Sequence, residues 1–280
     1  MGGIVQYSIF HSIGSAGNVR GKQVAQLLGA KLNPASGFEN DTCIYVKVRP
    51  PENHPKKTFL DVDDATDAVK WLRTHHSTGI IVNSEMSRDY LAKELNRDDI
   101  HVIPHMHCNY ENWVRPDDWK VKTVGIIGSK TSFKYPISDI REKMGAIGLN
   151  LIYNKDYWQH YGDRGEWTED ERRMQVVDFY KQIDIQIVWR PDTFSEDQKP
   201  LKNPNKLVNA SSFGIPTVSF PEDGFEEWKD FYFQAYTIDF MIQTLVMLKK
   251  SKQFPYFSNM LVEKAKSYHK DKIIKLYLQL

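Results

Sequence analysis

Arg190 follows the apolar run IDIQIVW (183–189) directly, so it stands at the carboxyl end of a predicted strand, where α/β proteins bind ligands. Lys206 falls in the first turn of a predicted helix, where a cation opposes the helix dipole unless an anion shares the site. Lys130 and Lys134 lie in the loop at 128–134, which follows another apolar run, KTVGIIG, and precedes a helix. Loops so placed present backbone N–H groups to anions. With the helix start near Asn205, these side chains suit a pyrophosphate. A leaving diphosphate develops negative charge, and cations and N–H donors aimed at it lower the barrier without a metal.

Other residues offer different chemistry. Asp61 ends a strand predicted over KTFLD and is the candidate general base. Asp61-x-Asp63, within DVDDATD, has the form of a divalent-cation chelate, and the competing reading makes Asp63 or Asp64 the cap of the next helix. HVIPHMHCN carries His101, His105, His107 and Cys108, but on an extended segment His105 and His107 point to opposite faces, which argues against zinc. GNVRGKQ (17–23) and GIIGSKTS (125–132) both depart from the P-loop. Gln23 stands where a Mg²⁺-binding Ser or Thr belongs, and Ser129 separates Gly128 from Lys130. A structural turn is the competing reading for each loop.

The elements that must position these residues alternate. IVQYSIF, CIYVKV, KTFLD, GIIVN and IHVIP read as strands, with helices predicted over KQVAQLLGA, DATDAVKWLRTHH and SEMSRDYLAKEL, the last capped by Ser84. HCNYENWVRPDDWKV (107–121) has no clear period and reads as a linker. The alternation then restarts with KTVGIIG, ISDIREKMGAIG, LNLIYN, TEDERRMQVVDFYKQ and IDIQIVW. A helix from about Asn203 to Gly214 leads into strand PTVSF, and the remainder is helical. The expectation is α/β: two Rossmann-like domains facing across a cleft, at 1–117 and 118–265. A terminal helix is expected at 266–280, to pack back on the first domain or to serve a partner.

The 280-residue chain is 41% hydrophobic, enough to fill such cores, and its formal charge of +1 gives no global call for nucleic acid or an anionic membrane. Two cysteines, Cys43 and Cys108, fit a reduced, cytoplasmic compartment rather than a disulfide framework. No run approaches the roughly 20 apolar residues of a membrane span. The start reads as a strand rather than a signal peptide, and Gln6 stands where a myristoylation motif needs Ser or Thr.

NKLVNASSFGIPTVSF resembles the donor-binding helix and following strand of GT-B glycosyltransferases, particularly the group 1 type. IVNSEMSRDYLAKELNRDDIHVIPHMHCN resembles the close of their N-terminal domain, and VGIIGSKTSFKYP the first strand and loop of their C-terminal domain. FHSIGSAGNVRGKQVAQLL, with Gly14, Ser15 and Gly17, resembles their N-terminal Gly-rich cleft loop. The resemblance implies that the C-terminal domain binds a nucleotide-diphospho-sugar and the N-terminal domain an acceptor, with transfer in the cleft. It matches Lys134 to the lysine that neutralises the diphosphate and Ser129 to its partner arginine. Asn209 and Leu201 take the places of a paired-glutamate motif, and His105 the place of an Asn after Ile-Pro.

The functional expectation is therefore a metal-independent glycosyltransferase, with Asp61 and His105 as catalytic candidates. Gly128, Ser129, Lys130, Lys134, Arg190, Asn205, Lys206 and Asn209 are the donor-binding candidates. No cofactor is expected, and the acceptor is left open. Two alternatives compete. One is a metal-dependent GT-A transferase built on Asp61-x-Asp63 and one continuous sheet. The other is a non-catalytic nucleotide- or glycan-binding protein of transferase-like fold.

Overall fold

The structure is a computed structural model that describes residues 5–11, 17–116, 120–128, 133–154 and 169–280. Short Val- and Ile-rich runs form parallel strands buried on both faces, as a sheet covered by crossover helices requires. The first sheet holds β1 (Tyr7–His11), β2 (Lys31–Leu32), β3 (Thr42–Val46), β4 (Thr58–Asp61), β5 (Gly79–Val82) and β6 (Ile100–Val102). Their order is β2-β1-β3-β4-β5-β6. The second holds β7 (Thr123–Ile126), β8 (Asn150–Tyr153), β9 (Ile185–Val188), β10 (Thr217–Ser219) and β11 (Phe233–Gln234), ordered β11-β10-β9-β7-β8. Each sheet starts at an inner strand, steps outward to one side, then reverses to the other.

The helices are α1 (Val24–Leu28), α2 (Thr66–Leu72), α3 (Glu85–Leu95), α4 (Ile137–Ala146) and α5 (Glu169–Gln182). They continue with α6 (Asn205–Ser212), α7 (Ile238–Lys250), α8 (Phe254–Ala265) and α9 (Lys270–Tyr277). In the first sheet Leu60, Ile80 and Val82 pack with Val69 and Leu72 of α2 and Leu91 and Leu95 of α3. In the second, Val124, Ile126 and Ile187 meet Ile140 and Met144 of α4 and Met241 and Leu245 of α7. Val177 and Tyr180 of α5, Ala210 of α6 and Phe213 just after it form a separate cluster with Ile127 and Ile183. The run FMIQTLVML lies in α7, and among the described residues no helix is long and apolar enough to cross a membrane.

The chain divides into two compact units. The first comprises the residues through Met106, Phe194–Asn203 and Lys270–Leu280; the second comprises His107–Thr193 and Pro204–His269. Where the expected linker is described, over 107–116, it is not a free tether. Asn109 donates to the Ser212 carbonyl (2.8 Å), Arg115 pairs with Asp184 (3.0 Å) and Trp113 packs on Phe213. Its aromatic and polar side chains, which gave it no period, are what bind it to the second unit. Leu201 is buried among first-unit residues, and the Tyr7 hydroxyl donates to the Tyr277 carbonyl of α9 (3.2 Å).

Local signals act at several ends. Ser84 accepts from the Ser87 amide (3.1 Å) and starts α3. Gly214, at φ 69°, follows α6 so closely packed that an added Cβ would lie 2.1 Å from Ser258 Oγ. The expected cap of α2 is corrected: Ala65 takes that position, because Asp63 and Asp64 are engaged elsewhere. The helix expected from Lys22 begins earlier, as a π-helical stretch over Gly17–Gln23 running into α1. Gly21 lies against β1 there, and a Cβ would sit 2.8 Å from His11 Cβ.

Candidate functional site

The strand order of the second unit reverses between β7 and β9, and such a reversal opens a ligand crevice beyond the strands' carboxyl ends. Gly128 lies just past β7 at φ 140°, a conformation that favours glycine. Asn154 pins it, accepting from the Gly128 amide (3.1 Å) and donating to its carbonyl (3.2 Å). The returning loop then pairs Phe133 with Trp189, and the Lys134 amide donates to the Trp189 carbonyl (2.7 Å). The Lys134 ammonium donates to the Asp192 carbonyl (3.3 Å), which places it beside the turn that carries Arg190.

Arg190 directs its guanidinium fork at Glu222, with Nε to Oε1 at 2.5 Å and Nη2 to Oε2 at 2.7 Å. Both side chains are largely buried, and Arg190 stands over the Phe225 ring (5.9 Å). The carboxylate comes from the turn after β10.

Lys206 enters from the first turn of α6. A buried chain of polar groups fixes that turn: the Tyr180 hydroxyl donates to Gln186 Oε1 (2.8 Å), and Gln186 Nε2 donates to Thr217 Oγ1 (3.0 Å) and the Lys206 carbonyl (3.1 Å). Burial, then the charge of Arg190, push the Lys206 ammonium down to about 7 against the opposing pull of Glu222. Pro204 precedes the helix and makes no side-chain cap. Asn205 accepts from Asn209 Nδ2 (3.1 Å), and Asn209 Oδ1 accepts from the Cys108 amide (2.8 Å). Asn209 thus fastens α6 to the 107–116 segment. Ser129 and Lys130, like Gly14 and Ser15, lie outside the described residues.

In the first unit the carboxyl ends of the strands hold a buried charged cluster. Arg20 and Asp61 form an interior pair (2.6 Å), and Arg20 Nη1 donates to the Ile103 carbonyl (2.8 Å). Gly17 opens the π-helical stretch that carries Arg20 inward. Burial raises the Asp61 carboxyl, an effect that Arg20 partly offsets. Asp61, expected as a general base, therefore faces an arginine in the interior with no exposed surface. Asp63 accepts from His105 Nε2 (2.8 Å), Asn203 Nδ2 (3.1 Å) and Asn83 Nδ2 (3.3 Å). Burial opposes its ionisation, but His105, Arg20 and Lys47 hold it well below the usual carboxylate range. Asp63 (φ 46°) and Lys47 (φ 55°) both adopt left-handed backbone here, and Asp64 pairs with Lys47 and with Lys202 (2.6 Å). His105 is thus the imidazole of an Asp–His pair whose Nδ1 has no partner in the structure.

These engagements bear on the Asp61-x-Asp63 chelate and on the GT-A alternative. Asp61 and Asp63 serve Arg20 and His105 rather than one chelate, and two separate sheets replace the single sheet a GT-A transferase needs. His105 turns to Asp63, while the His107 ring sits 5.3 Å from that of His269. Among the described residues, no three His, Cys, Asp or Glu side chains gather to hold a metal. Burial pushes the Cys108 thiol up to about 12, so it stands as a thiol at neutral pH. Sequence reasoning missed Glu222 and Arg20. The signal for Glu222 was present, since it follows a strand end just as Arg190 does; Arg20 gave none.

Two parallel α/β sheets with helices, each with a strand-order reversal, define the GT-B glycosyltransferase fold, and solved structures of that class are similar to this chain. Anabaena HepE, in complex with UDP and glucose, superposes with a TM-score of 0.64 at 11% identity, covering 99% of this chain and 98% of that one. The glycotransferase of kitacinnamycin gives 0.52 at 13% identity, covering 99% of each. TarM gives 0.55 at 11% identity, covering 98% of this chain and 54% of that one. The chain thus spans about half the length of TarM. No family model matches the sequence, and no curated protein matches it.

Proposed function

We propose that this protein is a glycosyltransferase that draws a sugar from a nucleotide-diphospho-sugar held by its second unit. What supports this reading is Lys134 beside the turn that carries Arg190, Lys206 within reach of Arg190's charge in the first turn of α6, and Gly128 just past the end of β7. Cations from three separate chain segments there meet the charge that grows on a departing diphosphate. HepE, similar in fold, was crystallised with UDP and glucose, which supports a hexosyl donor and a uridine nucleotide. Because side chains meet the phosphate charge, transfer is expected to survive excess chelator. On the acceptor side the His105–Asp63 pair of the first unit replaces Asp61 as the base candidate. Asp63 holds one imidazole nitrogen and the other, Nδ1, is buried without a partner, so the pair can take only a proton brought to it by a group that enters this interior.

One observation favours the binding-protein alternative. Asn209, at the position of a family carboxylate, is engaged with Cys108 and Asn205 rather than offering an acidic group. Incubation with a panel of nucleotide sugars, followed by detection of released nucleotide in EDTA, separates the two. Release that depends on an added acceptor is the expected result. Tight nucleotide binding with no turnover on any acceptor would replace the enzyme reading by the binding one.

A further inference from the structure

Glu222 and Lys206 make an uneven pair around Arg190. The Glu222 carboxylate is engaged end-on by the Arg190 fork, and among the described residues no hydrogen-bond acceptor lies against the Lys206 ammonium. Arg190 and Glu222 are the charged groups that face Lys206, and Tyr232 faces Glu222 in turn. Lys206's own helix, NKLVNASS, brings no acid and no second base. The polar groups beneath it, Gln186, Tyr180 and Thr217, are neutral and bond to one another and to the backbone.

We propose that the site takes up its diphosphate together with a proton, which passes from solvent to the Lys206 amine as the anion supplies the counter-charge that Glu222 gives to Arg190. This rests on the reading of the site given above. The geometry supplies the cause: a largely buried amine beside a cation, its nearest carboxylate engaged by that cation, is short of stabilisation until an anion arrives. An arriving diphosphate also has a role for Glu222. By holding Arg190 in a fixed orientation it positions the guanidinium, and by neutralising it keeps the empty site from carrying two uncompensated buried cations.

The consequence is linkage between proton and ligand. An amine titrating near 7 in the free protein is mostly neutral at pH 8 and fully charged beside a diphosphate, so binding there takes up about 0.9 proton. At that pH the phosphates of UDP, GDP and ADP are already ionised, phosphate second ionisations lying near pH 6, so for these three the uptake counts the protein's own proton. Affinity weakens as pH rises from 7 to 9, by up to about tenfold per unit.

The test is calorimetric titration with UDP, GDP, ADP and inorganic pyrophosphate at pH 8 in two buffers of different ionisation enthalpy. The difference in observed heat counts the protons. Wild type is expected to take up most of one proton on binding. Lys206→Arg, whose guanidinium is always charged, should bind with no uptake, and Lys206→Met should bind more weakly, again with none. Binding by wild type without uptake, or uptake that persists in both variants, overturns the inference and leaves the site's assignment standing. Failure of all four ligands to bind wild type overturns both.

Discussion

Replacing Asp61 by Asn removes the carboxylate that neutralises a fully buried arginine. Arg20 would retain its bond to the Ile103 carbonyl, one amide oxygen in place of a carboxylate, and an Nη2 that already lacks a partner. Breaking a buried pair by removing one member costs about 3–5 kcal/mol, and the surviving hydrogen bonds put Asn near 3 and Ala near the upper end. Against a typical total of about 5–15 kcal/mol, the loss is large. Replacing both residues, Arg20→Met with Asp61→Leu, removes charge and counter-charge together and should recover most of it. Urea unfolding reads the effect as a lower midpoint at unchanged slope. Turnover of protein that remains folded should fall little. A midpoint shift worth under about 1 kcal/mol, with turnover cut by roughly 100-fold or more, would refute the structural role and restore Asp61 as a catalytic base.

Three further outcomes follow from particular contacts. His107 is held down to about 4 by burial and by the facing His269, from an ordinary value of 6.5. The neutral ring's contribution is complete above pH 6.5 and is lost as pH falls toward 4. The loss is about 3 kcal/mol, read as a drop in urea midpoint between pH 7.5 and 4.5 that His107→Gln abolishes. Gly214→Ala must place a Cβ 2.1 Å from Ser258 Oγ at positive φ, so it should destabilise by at least about 2 kcal/mol; a stabilised variant in thermal melts contradicts the packing. His105→Gln and Asp63→Asn should both slow transfer by roughly 100-fold or more and shift its pH profile if the pair accepts the acceptor's proton, whereas equal turnover at every pH would leave the pair structural.

How much was legible in the sequence depended on the range of the interaction. The inner strands showed as apolar runs because their burial on both faces is written locally, and Ser84 announced α3 because a cap acts within one helical turn. Arg190 was placed at a strand end by the length of IDIQIVW alone. The two-residue strands β2 and β11 gave no signal, since their pairing is supplied by neighbours rather than by their own composition. Arg20 with Asp61, and Arg190 with Glu222, are pairs whose members lie 41 and 32 positions apart, and no local period reports such partners. The segment at 107–121 misled for a related reason. Its Asn109, Trp113 and Arg115 make side-chain contacts to α6 and to the start of β9 that leave the backbone irregular, so a docked segment looked like a tether.

The central claim is that side-chain cations of the second unit bind a diphosphate. Titration of a nucleoside diphosphate and its parent nucleoside against wild type, Lys134→Ala, Arg190→Ala and Lys206→Met tests it most directly. The account predicts that each variant weakens the diphosphate by roughly 1.5–3 kcal/mol, the worth of a charge-assisted contact, and leaves the nucleoside unchanged. Equal losses for both ligands, or a wild type that does not prefer the diphosphate, would contradict it.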